Sequence, residues 1–227
     1  MRPSIPVRAW VQRVLRLGPS RLALILAILL ALISLGLPFW SLAFVSGTDQ
    51  YVGTFSWGTT TTDHYRNGAW DGTTILPYAS SQPVLAQFSF RSVGGALGAA
   101  YILVVVFLIV AAVVLALFTM EQSRTMPTLT LLVVSLLVVG IGLLAVFYPL
   151  VTAPGAATTD VGIFTVNGFW GGIRTTGPTR DWSWGPALGW WMFLLSVLLG
   201  IVGAALPYLK SVRSTTPPPP SDWRPTR

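Results

Sequence analysis

The chain has 227 residues, of which 53% are hydrophobic and 9% charged, with a formal net charge of +7 and no cysteine. Uncharged apolar runs longer than a globular core helix needs set aside a soluble domain and mark a polytopic membrane protein. The lack of cysteine excludes disulfide-stapled loops and thiolate metal sites, and the uneven spread of charge along the chain reads as an orientation and lipid signal, not a nucleic-acid footprint.

Residues 1–21 form a cytoplasmic basic segment. In "PVRAWVQRVLRLGP", Val7, Trp10, Val11, Val14 and Leu17 share one helical face while Arg8, Gln12, Arg13 and Arg16 lie on others, the pattern of an interfacial helix on an anionic leaflet. Gly18 and Pro19 break it, and Ser20 suits the N-cap of the first span. A four-helix membrane domain, 22–209, comes next. Four charge-free runs, Leu22 to Val45, Val93 to Met120, Thr128 to Val151 and Pro186 to Leu209, each reach the length of a transmembrane helix. The first is longer than a signal-peptide core and reads as an uncleaved anchor. Glu121 to Pro127 is a turn between spans, and 210–227 is a Pro-rich cytoplasmic tail whose "PPPP" forbids helix and sheet ladders. Ten basic residues flank the inner ends, among them Arg21, Arg124 and Lys210, against Arg66, Arg91, Arg174 and Arg180 on the other side. The positive-inside rule then places the chain in the cell membrane as a multi-pass protein with both termini cytoplasmic.

The outer loops, 46–92 and 152–185, are rich in Thr, Gly and aromatics and alternate in the manner of strands. Asn67-Gly68 and Asn167-Gly168 each suit a type I′ hairpin turn, with Trp70 and Trp170 two residues past the glycine. "FWSL" at Phe39 to Leu42 corresponds to "FYPL" at Phe147 to Leu150, and "GALG" at Gly95 to "PALG" at Pro186. The chain therefore reads as an internal repeat of a helix, β-loop, helix unit, with the two hairpins joined in one small extracellular β-sheet about a pseudo-twofold axis.

"LPFW" at the end of the first run, Gly-x-Trp in a β-rich first loop and an arginine before the second span resemble the claudin superfamily, which includes the peripheral myelin proteins. The matching residues are Trp40, Gly68, Trp70 and Arg91, and "WGPALGWW" is similar to the claudin run before the fourth helix. The paired loop cysteines of that family are absent here. The resemblance implies a four-helix bundle with cytoplasmic termini and an outer sheet, and an arginine, Arg91, that ties the sheet to the second span through loop carbonyls or the rings of Trp40 or Trp70.

No Asp, Glu, Lys, Arg or His falls inside the four runs, which argues against ion-coupled transport, proton pumping and intramembrane hydrolysis. His64 has no second His beside it and reads as a solvated loop residue, and Asp49, Asp63, Asp71, Asp160 and Asp181 read as ordinary surface charge. Trp190 and Trp191 fit an interfacial belt, Trp70 and Trp170 the core of the sheet, and Trp57, Trp182 and Trp184 a contact surface. Gly94 with Gly98, Gly95 with Ala99, and Gly200 with Ala204 have the spacing of close helix contacts. The expected function is a non-enzymatic, claudin-like protein without cofactor, catalytic residue or metal site. Its outer sheet would contact another cell surface or a membrane-protein partner, or self-associate; a subunit of a transporter or channel is the alternative, and no nucleic acid is expected as partner.

Overall fold

The structure, a computed structural model, describes residues 18–81, 88–120, 126–176 and 179–214. The interfacial helix expected within residues 1–17, most of the inner turn and the tail beyond 214 lie outside the described residues. Among the described residues four helices and six strands occur in the order α1 (Pro19–Leu35), β1 (Trp40–Ser46), β2 (Asp49–Phe55), β3 (Thr59–Arg66), β4 (Ala69–Pro77), α2 (Arg91–Thr119), α3 (Thr128–Val161), β5 (Gly171–Thr176), β6 (Thr179–Pro186) and α4 (Leu188–Ser214). The helices α2, α3 and α4 are long and apolar enough to cross a membrane; α1 is an apolar helix of 17 residues.

The first apolar run therefore divides, and its expected helix to Val45 is corrected. Gly36 closes α1 by donating its N–H to the Ile33 carbonyl, and Pro38 pushes Leu37 away from helical backbone. From Trp40 the chain is a strand in which Trp40, Leu42 and Phe44 are buried and the residues between them more exposed. A strand with one fully buried face carries as much apolar character as a helix, so hydropathy alone merges the two. The third run departs the other way. α3 continues through Pro149 and Pro154 to Val161, where Gly162 ends it in the left-handed region at φ 68°, so ten residues assigned to the second loop are helix.

α1 packs on α4, α4 on α3, and α3 on α2, with α1 and α2 meeting to close the bundle. The α1–α4 crossing is tight at Gly203, where an added Cβ would stand 2.7 Å from Leu24 Cγ and 3.0 Å from the Ser20 carbonyl oxygen. Hydroxyls stitch the same contacts: Ser196 donates to the Ala27 carbonyl at 2.6 Å, Ser20 to that of Gly203, and Ser135 bridges α3 to the Ala204 carbonyl at 2.8 Å. Gly200 gives room to Phe107, and Gly94 to the ring of Tyr78, while Gly95 and Gly98 face open space.

All six strands form one antiparallel sheet at the end of the bundle, in the order β4-β3-β2-β1-β6-β5. Both loops contribute to it, and β1 from the first apolar run stands near its centre. Asn67 and Gly68 make the β3–β4 turn with φ 52° and 77°, the two positive values a type I′ turn requires. Asn167 does not make a hairpin turn, which corrects that reading: only Gly168 has positive φ, and no strand precedes it, residues 162–166 being irregular between the end of α3 and β5. The second hairpin instead reverses between Thr176 and Thr179. The wider repeat fares no better, since Phe39 to Leu42 lie in a loop and a strand whereas Phe147 to Leu150 lie inside a helix.

Because Gly203 leaves no room for a side chain and Gly95 does, Gly203→Val should lower stability by about 1–3 kcal/mol through forced separation of α1 and α4. Gly95→Val should leave the melting temperature in the same detergent near that of the parent.

Candidate contact surface

The two faces of the sheet differ because side chains alternate along each strand. One face, turned to the bundle and to residues 162–170, carries Trp40, Leu42 and Phe44 of β1, Phe55 of β2, Thr60 and Thr62 of β3, and Trp182 and Trp184 of β6. The register aligns them in rows: Trp40 with Phe55 and Pro186, Leu42 with Gly53 and Trp184, Phe44 with Tyr51 and Trp182. The indole N–H of Trp40 donates to the Phe169 carbonyl at 2.9 Å and that of Trp184 to the Gly168 carbonyl at 3.1 Å, which binds segment 162–170 beneath the sheet. Phe164 fills the space beside both Trp182 and Trp184.

Four of the tryptophan assignments read from the sequence are reversed. Trp182 and Trp184 are 2% and 6% exposed and belong to the core, whereas Trp70 and Trp170 are 64% and 59% exposed. The cause is local: the Asn-Gly turn projects Trp70 onto the outward face of the edge strand β4, beside Tyr65, while Trp184 and Trp182 take the inward positions of β6. Trp70 and Trp170 are also inequivalent. Trp70 comes just after a turn at the end of the sheet away from the helices, and Trp170 packs beside Gly185, next to the start of α4. Trp57, 51% exposed, lies in the β2–β3 turn against Tyr101, ring centroids 4.5 Å apart.

The four residues that carry the claudin resemblance are not brought together. Trp40 is buried at the foot of β1, Gly68 is in the far turn, Trp70 is on the outward face, and Arg91 is the exposed first residue of α2 with no partner among the described residues. Arg91 does not tie the sheet to α2. Its side chain is exposed, ten residues before Tyr101, so its charge keeps its water. The start of α2 is tied instead to the end of α3, by Asp160, whose two carboxylate oxygens accept the backbone N–H groups of Ser92 at 3.1 Å and Val93 at 2.8 Å. A carboxylate at this position satisfies two of the four open N–H groups of α2 and suits the positive end of its dipole. Among the surface-type acids, nothing in the sequence singles Asp160 out, since it lies 67 residues from the Val93 N–H it accepts.

The β2–β3 turn is held down by Tyr78, whose hydroxyl donates to the Ser56 carbonyl, and by the Ser56 N–H on the Thr59 carbonyl at 3.0 Å. Burial, with Tyr101 beside it, pushes the Tyr78 hydroxyl well above the ordinary tyrosine pKa. His64 is not a solvated loop residue: it sits on β3, stacks on Tyr51 at 4.4 Å, and its Nδ1 is 2.9 Å from Asp71 Oδ2. Arg66 lies 3.8 Å from Asp49 and 3.7 Å from Asp71, and Arg174 3.2 Å from Asp181, pairs exposed enough to contribute little. Within the sheet the hydroxyls of Thr60 and Thr62, His64 Nε2, Arg180 Nε and Trp182 Nε1 are buried without hydrogen-bond partners among the described residues. Each such atom costs about 1–3 kcal/mol unless water or a small polar guest joins it. Among the described residues no three His, Asp or Glu side chains converge to hold a metal ion. Compared with models of protein families and with curated proteins, the chain matches none.

Asp160→Ala should cost about 1–2 kcal/mol by uncovering the start of α2, with Asp160→Asn in between because one oxygen acceptor remains. Arg91→Ala in the same thermal assay should melt like the parent. A second expectation concerns pH. The unfolded chain releases the Tyr78 proton near the ordinary value of about 10 while the folded chain holds it, so stability is full below that pH and falls as pH rises above it. Tyr78→Phe should be less stable at pH 8 yet lose less on moving to pH 11, as thermal melts at the two pH values would show.

Proposed function

We propose that the protein is a non-enzymatic, claudin-like protein of the cell membrane, with all four helices spanning and both termini cytoplasmic, whose extracellular sheet makes contacts through its outward face. The length of α1 supports the fourth span. Seventeen residues rise about 25 Å, at the short end of what crosses a hydrocarbon core. Its neighbours give it matching levels. At one end the Leu37 and Pro38 carbonyls accept the Tyr101 hydroxyl at 3.1 Å and the Gly189 N–H at 2.8 Å; at the other Ser20 meets Gly203. Beyond the first level α2 and α3 continue as "RSVGGALGAA" and "TAPGAATTDV", in which small residues replace most of the Leu, Ile and Phe below. That change is what leaving the hydrocarbon requires.

The observation that carries the contact role is the exposure of Trp70 on a sheet whose aromatic core is complete without it. Its indole N–H donates to the Thr73 hydroxyl, which in turn donates to Asp63, so the ring is held out from the face in one orientation. Ile75, equally exposed, lies on the same face. A fixed, exposed tryptophan is the anchor typical of a protein contact. Partner, self-association included, is set by this face; no ionisable side chain in the described helices near the bundle centre offers a transport pathway.

The test is photocrosslinking in native membranes with a probe at position 75, which is on the same face and leaves the Thr73 brace intact, followed by mass spectrometry, on the parent and on Trp70→Ala. A protein adduct that drops at least about tenfold in Trp70→Ala, with unchanged melting temperature, is the expected result for an anchor of this kind. Absence of any adduct, or an adduct indifferent to the substitution, would remove the contact reading. Solute or ion flux by the purified protein in liposomes would replace it with the transporter or channel alternative.

A further inference from the structure

The tryptophan that projects from the foot of the sheet has different surroundings from Trp70. Trp57 occupies the tip of the β2–β3 turn with Gly58, whose φ of 77° allows the chain to reverse there. This turn is at the opposite end of β3 from Asn67-Gly68. It points back toward the helices, whereas Trp70 lies about 20 Å farther out along the strand. One side of the Trp57 indole covers Tyr101, which is itself fully buried and donates its hydroxyl to Leu37 at the end of α1. The other side is open. The residue after Tyr101, Ile102, is 60% exposed and begins the row Ile102, Val106, Ile109 and Val113 that α2 presents outward along its apolar length. The open half of the indole is thus level with the first of those residues, where apolar helix surface begins. Trp191, half exposed near the start of α4, marks the same level on another side of the bundle, since Gly189 and Tyr101 both bond to the Leu37–Pro38 corner.

An indole has an apolar body and a polar N–H edge, and its favoured place in a membrane is the boundary between headgroups and acyl chains. We propose that Trp57 inserts into this boundary in the outer leaflet, so that the sheet rests on lipid beside α1 and α2 as well as on the helix bundle. The occupant of this surface is the lipid interface, not a protein partner. The turn is built to hold it: Tyr78 bonds the Ser56 carbonyl, Ser56 and Thr59 close the turn, and Tyr101 backs the ring. An anchor on a rigid turn fixes the tilt of the sheet relative to the membrane, and hence the height at which Trp70 is displayed. The inference rests on the reading that the helices span the bilayer with the sheet outside.

Because the chain has no cysteine, single cysteines can report each position. Trp57→Cys, Thr59→Cys, Ile102→Cys and Trp70→Cys would each be labelled with bimane in full-length protein reconstituted in phosphatidylcholine nanodiscs. Quenching by lipids carrying a nitroxide close to the headgroup would be compared with quenching by aqueous iodide. The expected result is strong lipid quenching at 57 and 102, with 57 quenched more by shallow than by deep nitroxides, and iodide quenching alone at 70. Thr59→Cys keeps the indole in place and decides the matter if Trp57→Cys does not fold. Iodide quenching alone at 57 or 59, with lipid quenching at 102, would overturn the anchor and leave the membrane topology standing. Failure of lipid quenching at 102 would overturn both.

Discussion

Five elements meet at Leu37, Pro38 and Phe39, and the rest of the molecule is arranged around that corner. The Leu37 carbonyl receives the Tyr101 hydroxyl of α2, the Pro38 carbonyl the Gly189 N–H of α4, and the Phe39 carbonyl the N–H of Ala187 at 3.1 Å. The Phe39 N–H in turn donates to the Phe55 carbonyl of β2 at 2.8 Å. Pro38 has no N–H to offer and cannot continue a helix, so α1 must stop and the carbonyls that a helix would have used internally become free for neighbours. Gly189 has to be glycine for the same reason, because a Cβ there would stand 2.7 Å from the Pro38 oxygen. At the apolar end of the bundle these carbonyls would otherwise go unpaired, and that penalty is what locks the sheet to the helices.

From this corner the aromatic layer is built outward. β1 leaves Pro38 with Trp40 turned inward. Its antiparallel pairing with β6 then places Pro186, Trp184 and Trp182 opposite Trp40, Leu42 and Phe44. A sheet standing on a bundle with no direct helix along most of its inner face needs large side chains and an intervening segment to close the gap. Residues 162–170 supply Phe164, Val166 and Phe169, and the indole N–H groups of Trp40 and Trp184 find their acceptors in that segment's backbone. Each of these two tryptophans thus satisfies its polar edge as it fills volume. Trp182 is the exception, its Nε1 left without an acceptor.

How much of this is legible in the sequence depends on the range of the interaction responsible. Asn67-Gly68 encodes its turn in two residues and is readable as such, as is the membrane character of the long apolar runs. Asn167-Gly168 carries the same dipeptide, but the segment around it is irregular and is held beneath the sheet by the indole N–H groups of Trp40, 129 residues from the Phe169 carbonyl it meets, and of Trp184, which no local pattern announces. The division of the first run at Gly36 is hinted at by Pro38 yet masked by the hydrophobicity of β1, which the buried inner face demands. The tryptophans elude a sequence reading because their orientation depends on strand register: Trp70 and Trp182 differ only in which face of a strand their position occupies, and a one-residue change of register would exchange inward for outward. Arg91 rests on resemblance alone, and the helix that carries it begins ten residues before the level at which Tyr101 meets the end of α1.

The edges of the sheet bear on how its outward face can be used. β4 ends the sheet on one side, and an open edge would pair with any extended chain it met. It carries several devices that discourage this. The register shifts between His64 and Tyr65, Asp71 stands at the irregularity beside His64 and Arg66, and Pro77 closes the strand. On the other side β5 is short and begins with two glycines, which present little surface for a partner strand to grip. The exposed ion pairs around these edges are weak and screened, so they neither recruit nor exclude a partner strongly. What remains to give a contact its energy is the apolar side chain held in a fixed orientation, and on the outward face that is Trp70, braced by Thr73 and Asp63, with Ile75 farther along the same face.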